Sequence, residues 1–145
     1  MMNLKELLQK RLVEKTKPDT QLSSKLMVDA RRDISVAEDN LKMKHADWTL
    51  AIAYNAMLSA GRALMAAKGY RTFSDSHHLA VVQFCASVMP AESSALVNSF
   101  NRYRVRRHEV VYGEAGSVGE DEARKAVESA KEFVKKMEEL IKNQK

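Results

Sequence analysis

The stretch DWTLAIAYNAMLSAGRALMAAKG, residues 47–69, decides the fold class. It is rich in alanine, leucine and methionine and holds no proline, so it favours a long helix. Leu50, Ile52, Tyr54, Met57, Leu58, Leu64 and Met65 leave it almost no polar face. Asp47 is placed to cap its start, and Gly69 to close it at the C′ position. A helix that is apolar nearly all round has to be wrapped by other elements. Arg62 and Lys68 interrupt the run, which reads as the central helix of a bundle rather than a membrane span.

Working outward, the flanking segments supply the wrapping. Asn3 can cap a short helix over Leu4–Lys15, with Leu4, Leu7, Leu8 and Leu12 on one face and Pro18 ending it. Thr20–Lys44 places Leu22, Leu26, Ile34, Ala37 and Leu41 at near-helical spacing. After a loop over Tyr70–Ser76, with Ser76 as a cap, a helix over His77–Met89 stops at Pro90. Another covers Glu92–Tyr112. The last, Glu120–Asn143, opens with Glu120, Asp121 and Glu122 at the positive end of its dipole and carries an apolar stripe from Ala123 to Ile141. No Asn-Gly or Asp-Gly hairpin turn appears, and alternation of apolar with polar residues is scarce. The expectation is an all-α, single-domain bundle of five to six helices over residues 1–145, built on a long central apolar helix.

Composition agrees. With 45% hydrophobic and 30% charged residues, only 5 Gly and 2 Pro, the chain suits a helix-rich globular protein and not a disordered one. The single cysteine, Cys85, lies in an apolar run and reads as packing, which excludes a disulfide framework within one chain. No signal peptide or uninterrupted transmembrane run is visible, so a cytoplasmic protein is expected. No His/Cys/Asp set has metal-ligand spacing, and the adjacent His77 and His78 cannot complete a shell alone. No metal and no cofactor are expected.

The net charge of +5 has a location. Arg102, Arg104, Arg106, Arg107 and His108 fall within seven residues, whereas residues 114–145 carry a slight acidic surplus. Arginine offers rigid, always-charged donors suited to phosphate. Helical spacing sets Arg104, His108 and Tyr112 on one face at successive i, i+4 positions, with Arg107 one step aside. Two readings compete: an anion-binding face, or an arginine-rich helix that pairs with Glu109 and other acidic residues.

Four pieces, taken in order, resemble the HEPN-domain family. AYNAMLSAGRALMAAKG (residues 53–69) resembles its central helix. SHHLAVVQF (76–84) is similar to the segment that follows, and RHEVVYG (107–113) to its Arg…Tyr-Gly signature. The acidic-start terminal helix completes the match over roughly Asp47–Ile141. The resemblance implies a helical bundle that forms a homodimer, a minimal nucleotidyltransferase partner in a toxin–antitoxin-type module, and RNA or a nucleotide as ligand.

Active members of that family are metal-independent endoribonucleases that use an Arg, a polar residue and a His four to six residues after the Arg. Carried over, Arg107 matches the arginine and His108 the polar position, while Tyr112 stands where the histidine would be. A second register pairs Arg102 with His108, but the Tyr-Gly alignment favours the first. A phenol with pKa near 10 is poorly suited to proton transfer at neutral pH. The resemblance therefore implies a degenerate ribonuclease motif in a binding protein, with Arg102, Arg104, Arg107 and Tyr112 as phosphate-binding candidates. The alternative is an active endoribonuclease in which Arg107 and His108 are catalytic. A third reading reserves the arginines for oligomer assembly. His77 and His78 are read as hydrogen-bonding loop residues, Trp48 and Tyr54 as packing aromatics. Arg62 either snorkels to the surface or pairs with a carboxylate such as Asp47 of a dimer partner.

Overall fold

In the computed structural model, which describes residues 2–74, 77–113 and 116–144, the chain is a helical bundle. Its elements run α1 (Leu4–Gln9), β1 (Val13–Lys15), α2 (Thr20–Lys42), α3 (Ala46–Lys68), β2 (Tyr70–Thr72), α4 (His78–Val88), a 3-10 turn (Ala91–Ser93), α5 (Ser94–Tyr112) and α6 (Glu120–Lys142). The fold is all-α, with six α-helices and one two-stranded ribbon among the described residues.

The central helix is α3. It packs against α2, α4, α5 and α6. Its Leu50, Tyr54, Met57 and Leu64 are fully buried. By length and composition alone α3 could cross a membrane, but most of it is buried inside the fold, where it serves as the core. Close approach is built in. Ser23 Oγ on α2 donates to the Ala63 carbonyl at 2.8 Å. On the other side, Gly61 lets α4 and α5 reach α3: a Cβ there would lie 2.9 Å from Val81 Cγ1 and 3.4 Å from the Phe100 ring. Phe100 and Phe133, with centroids 4.8 Å apart, join α5 to α6. Cys85 is fully buried, and burial pushes its thiol pKa upward, which fits packing and not nucleophilic chemistry.

The N-terminal segment departs from the sequence expectation. Asn3 does cap α1, accepting from Glu6 N at 2.9 Å. The helix nevertheless ends at Gln9, because Arg11 turns into the left-handed region at φ 58°. Residues 13–15 then form β1, antiparallel to β2 with Val13 opposite Thr72 and Lys15 opposite Tyr70. Gly69, at φ 86°, closes α3, and its carbonyl accepts from Thr16 N at 2.8 Å. The ribbon therefore pins the first segment to the end of the central helix.

Two further expectations change. Asp47 does not cap α3, whose N-cap is His45 and makes no side-chain capping bond. Its carboxylate instead accepts from Gly116 N at 2.6 Å and Val118 N at 3.3 Å, tying the α5–α6 loop to the start of α3. Trp48 is not a packing aromatic, being 66% exposed. The Ser76 cap lies outside the described residues.

Candidate functional site

Helix α5 sorts its arginines by their angle around the axis, about 100° per residue. Val97, Phe100 and Tyr103 are its buried residues, and the next position on that stripe is Arg107. An arginine thus occupies a core-facing place, with Arg104 on the flank of the same stripe. Arg107 Nε is buried and has no hydrogen-bond partner among the described residues. Arg104 donates from Nε to Asn101 Oδ1 at 3.0 Å, which leaves its terminal nitrogens unengaged among the described residues.

Arg102 and Arg106 point to the other side. Arg106 grips Glu122 with two bonds, from Nε at 2.8 Å and Nη2 at 3.1 Å, and donates to the Ser117 carbonyl at 2.9 Å. It clamps the α5–α6 loop to α6. Arg102 lies over the Tyr103 ring, 5.0 Å from its centroid, and reaches Ser99 Oγ. Arg102 and His108, the two residues of the second register, have different neighbours. His108 stacks on Tyr112 with centroids 4.9 Å apart, on an exposed strip where Tyr112 is 71% exposed. Of the sequence candidates, Arg104 and Arg107 face inward together, while His108 and Tyr112 form a separate surface pair.

What Arg104 and Arg107 face was not singled out by sequence reasoning. The Tyr54 hydroxyl on α3 lies 3.1 Å from Nδ1 of His78, the first residue of α4. Tyr54 is fully buried and His78 partly so. Burial pushes the Tyr54 phenol up to about 12, and the positive charges of Arg104, Arg107 and Arg62 pull against it. Burial also holds the His78 pKa below its ordinary value, and Arg62, Arg107 and Arg104 push the same way. Near neutral pH both groups are uncharged and three guanidinium groups act on them. Arg62 stands about two turns beyond Tyr54 on α3 and about 80° further round the axis, at the margin of this cluster, where its charge acts on both Tyr54 and His78. Asp47 is committed to the α5–α6 loop of its own chain. The odd charge within an apolar helix was the available signal: Arg62 eight residues after Tyr54, and Arg107 on the buried stripe of α5.

The cluster is made of donors and positive charge, which suits an oxyanion. Among the described residues no group of three or more His, Cys, Asp or Glu is arranged to hold a metal ion.

The family model for the HEPN domain matches residues 23–140, and the chain belongs to the HEPN family. Among solved structures it is similar to TT1696 from Thermus thermophilus, at 18% identity and TM-score 0.65. The match covers 81% of this chain and 96% of that one, a likeness of fold alone. No curated protein matches the chain.

Proposed function

We propose that this HEPN protein is a binding protein for RNA or a nucleotide, which it holds by phosphate through Arg104 and Arg107 on α5. The observation that carries this reading is the burial of Arg107 Nε without an acceptor among the described residues, beside a Tyr54–His78 pair on which the charges of Arg62, Arg104 and Arg107 act. A buried donor without a partner is costly, and a phosphate oxygen would compensate it. Tyr112, exposed at the end of α5, is available for stacking on a base.

In this reading the protein is a homodimer and the partner of a minimal nucleotidyltransferase in a toxin–antitoxin-type module. Support for a dimer comes from α3. Its outward line of Trp48, Ile52, Asn55, Ser59 and Arg62 repeats at helical spacing and starts with an exposed tryptophan, a residue enriched in protein interfaces. A second reading is a metal-independent endoribonuclease. It is favoured by the exposure of His108, whose ring a strand of RNA could reach.

The test is incubation of wild type, Arg107→Ala and His108→Ala with a mixed RNA pool in EDTA, with cleavage and retention read on one gel. Intact RNA retained by wild type and released by Arg107→Ala is the expected result. Cleavage that both substitutions abolish would replace the binding reading with the nuclease.

A further inference from the structure

The Tyr54–His78 hydrogen bond fixes where the imidazole carries its proton. The Tyr54 hydroxyl is buried, and His78 Nδ1 at 3.1 Å is its hydrogen-bonding partner among the described residues. A buried phenol proton needs an acceptor. If Nδ1 donated to the phenol oxygen, the phenol proton would be stranded in the core. If the phenol donates, Nδ1 is bare and a neutral imidazole bears its single proton on Nε2. Among the described residues, the groups that act on His78 are Tyr54 and Arg62 from α3 and Arg104 and Arg107 from α5, and the three charged ones all oppose a second proton.

We infer that Nε2–H of neutral His78, with the guanidinium groups of Arg104 and Arg107, forms a receptor for a single phosphate group of a nucleotide or of RNA, in which His78 is a fixed hydrogen-bond donor and not an acid or base. The inference rests on the phosphate-binding reading above and adds to it the role of His78 and the positioning role of Tyr54. The buried Arg107 Nε supports it independently, as a donor already desolvated and lacking an acceptor among the described residues. The chemistry follows from the proton count. With Nδ1 committed to Tyr54 and Nε2 already protonated, His78 has no lone pair with which to take a proton from a 2′-hydroxyl. The cluster holds a phosphate without cleaving at it. The phosphate can come from two sources: the terminal group of a mononucleotide or an internal phosphodiester of RNA.

Two measurements test this. The first is the nitrogen spectrum of the His78 imidazole in the ligand-free protein at pH 7 to 8. A protonated Nε2 with a bare Nδ1 is expected. An Nδ1–H tautomer or an imidazolium at pH 7 would overturn the inference, and this readout needs no variant to fold. The second is calorimetric titration with 5′-AMP, with adenosine and with a 5′-hydroxyl oligouridylate. Wild type should bind 5′-AMP or the oligouridylate and not adenosine, and the tighter of the two identifies the source. His78→Ala should weaken that binding about 10-fold or more, the scale of one hydrogen bond to a charged group. Tyr54→Phe should weaken it less, while mixing the two tautomers. Binding that falls in Arg107→Ala but is unchanged in His78→Ala would leave the phosphate reading standing and sink the receptor. No binding of either phosphate probe by wild type would sink both.

Discussion

The hydroxyl of Tyr54 and Nδ1 of His78 stand 3.1 Å apart, joining the middle of α3 to the first residue of α4. The pair makes stability depend on pH through His78 in a definite direction. Its folded pKa lies below the ordinary value near 6.5, because burial and then Arg62, Arg107 and Arg104 disfavour the charged ring. Below about pH 6.5 the unfolded chain therefore binds a proton that the folded chain does not, and stability falls as pH drops toward the folded pKa. Above about pH 6.5 the contribution is fully present and flat. Urea midpoints between pH 5 and 8 should decline on the acid side for wild type and decline less for His78→Asn. Equal slopes in the two proteins would mean that His78 is not held neutral by the fold.

Adjacent arginines on α5 should behave in opposite ways. Arg106 is tied to Glu122 and the Ser117 carbonyl, and Arg106→Ala should cost about 1 kcal/mol, a modest figure because the pair is partly solvated. Arg107 has no ion pair among the described residues and a buried Nε without an acceptor. Arg107→Leu should be neutral or slightly stabilising while abolishing RNA retention. Chemical denaturation and a retention gel on the two variants separate the roles. Loss of stability in Arg107→Leu comparable to that in Arg106→Ala would argue that both arginines are structural.

Asp47 holds the α5–α6 loop through Gly116 N and Val118 N. Asp47→Ala removes two charge-assisted acceptors and should lower stability by about 1–3 kcal/mol. Hydrogen exchange should accelerate at Gly116 and Val118 first, since those amides lose their partner. Exchange there as slow as in wild type would show that the loop is held by Arg106 alone.

Much of the fold was legible in the sequence because helices announce themselves locally. The apolar run from Leu50 to Met65, the closing Gly69 and the acidic opening of α6 each act within a few residues. What was not legible depends on contacts far apart in the chain. Val13–Lys15 becomes a strand because Tyr70–Thr72 lies beside it, and no helical count over Leu4–Lys15 contains that. Asp47 looked like a cap, since aspartate commonly serves there, yet its acceptors go to backbone amides some 70 residues on. The arginine cluster was visible as composition, but a run of four on a helix points in several directions. Only Arg104 and Arg107 turn toward Tyr54 and His78, two residues from other helices whose meeting is tertiary.

Gly61 sets how closely α4 lies on α3, and so where His78 sits. Gly61→Ala would gain about 1 kcal/mol of helix propensity, but it places a methyl 2.9 Å from Val81 Cγ1, beside the buried Cys85 and Phe100. Overpacking of this kind costs about 1–3 kcal/mol, so a net loss of about 1 kcal/mol is expected. The Tyr54–His78 bond should loosen with it, read as a mixture of His78 tautomers. A stabilised variant with an unchanged imidazole spectrum would show that α4 can move without disturbing the site.

Salt dependence gives a count of the RNA phosphates that the cluster meets. If Arg104 and Arg107 hold one phosphate of single-stranded RNA between them, the logarithm of affinity should fall against the logarithm of salt with a slope of about −0.7. Arg104→Ala should flatten that slope toward zero, because the one phosphate is then less fully neutralised. Arg102→Ala is the internal control. Its side chain lies over Tyr103 on the other side of α5, so the slope should stay within error of wild type. Should Arg102→Ala and Arg104→Ala flatten the slope equally, the RNA would have to follow the whole circumference of α5, and the inward pair of arginines would lose its special standing.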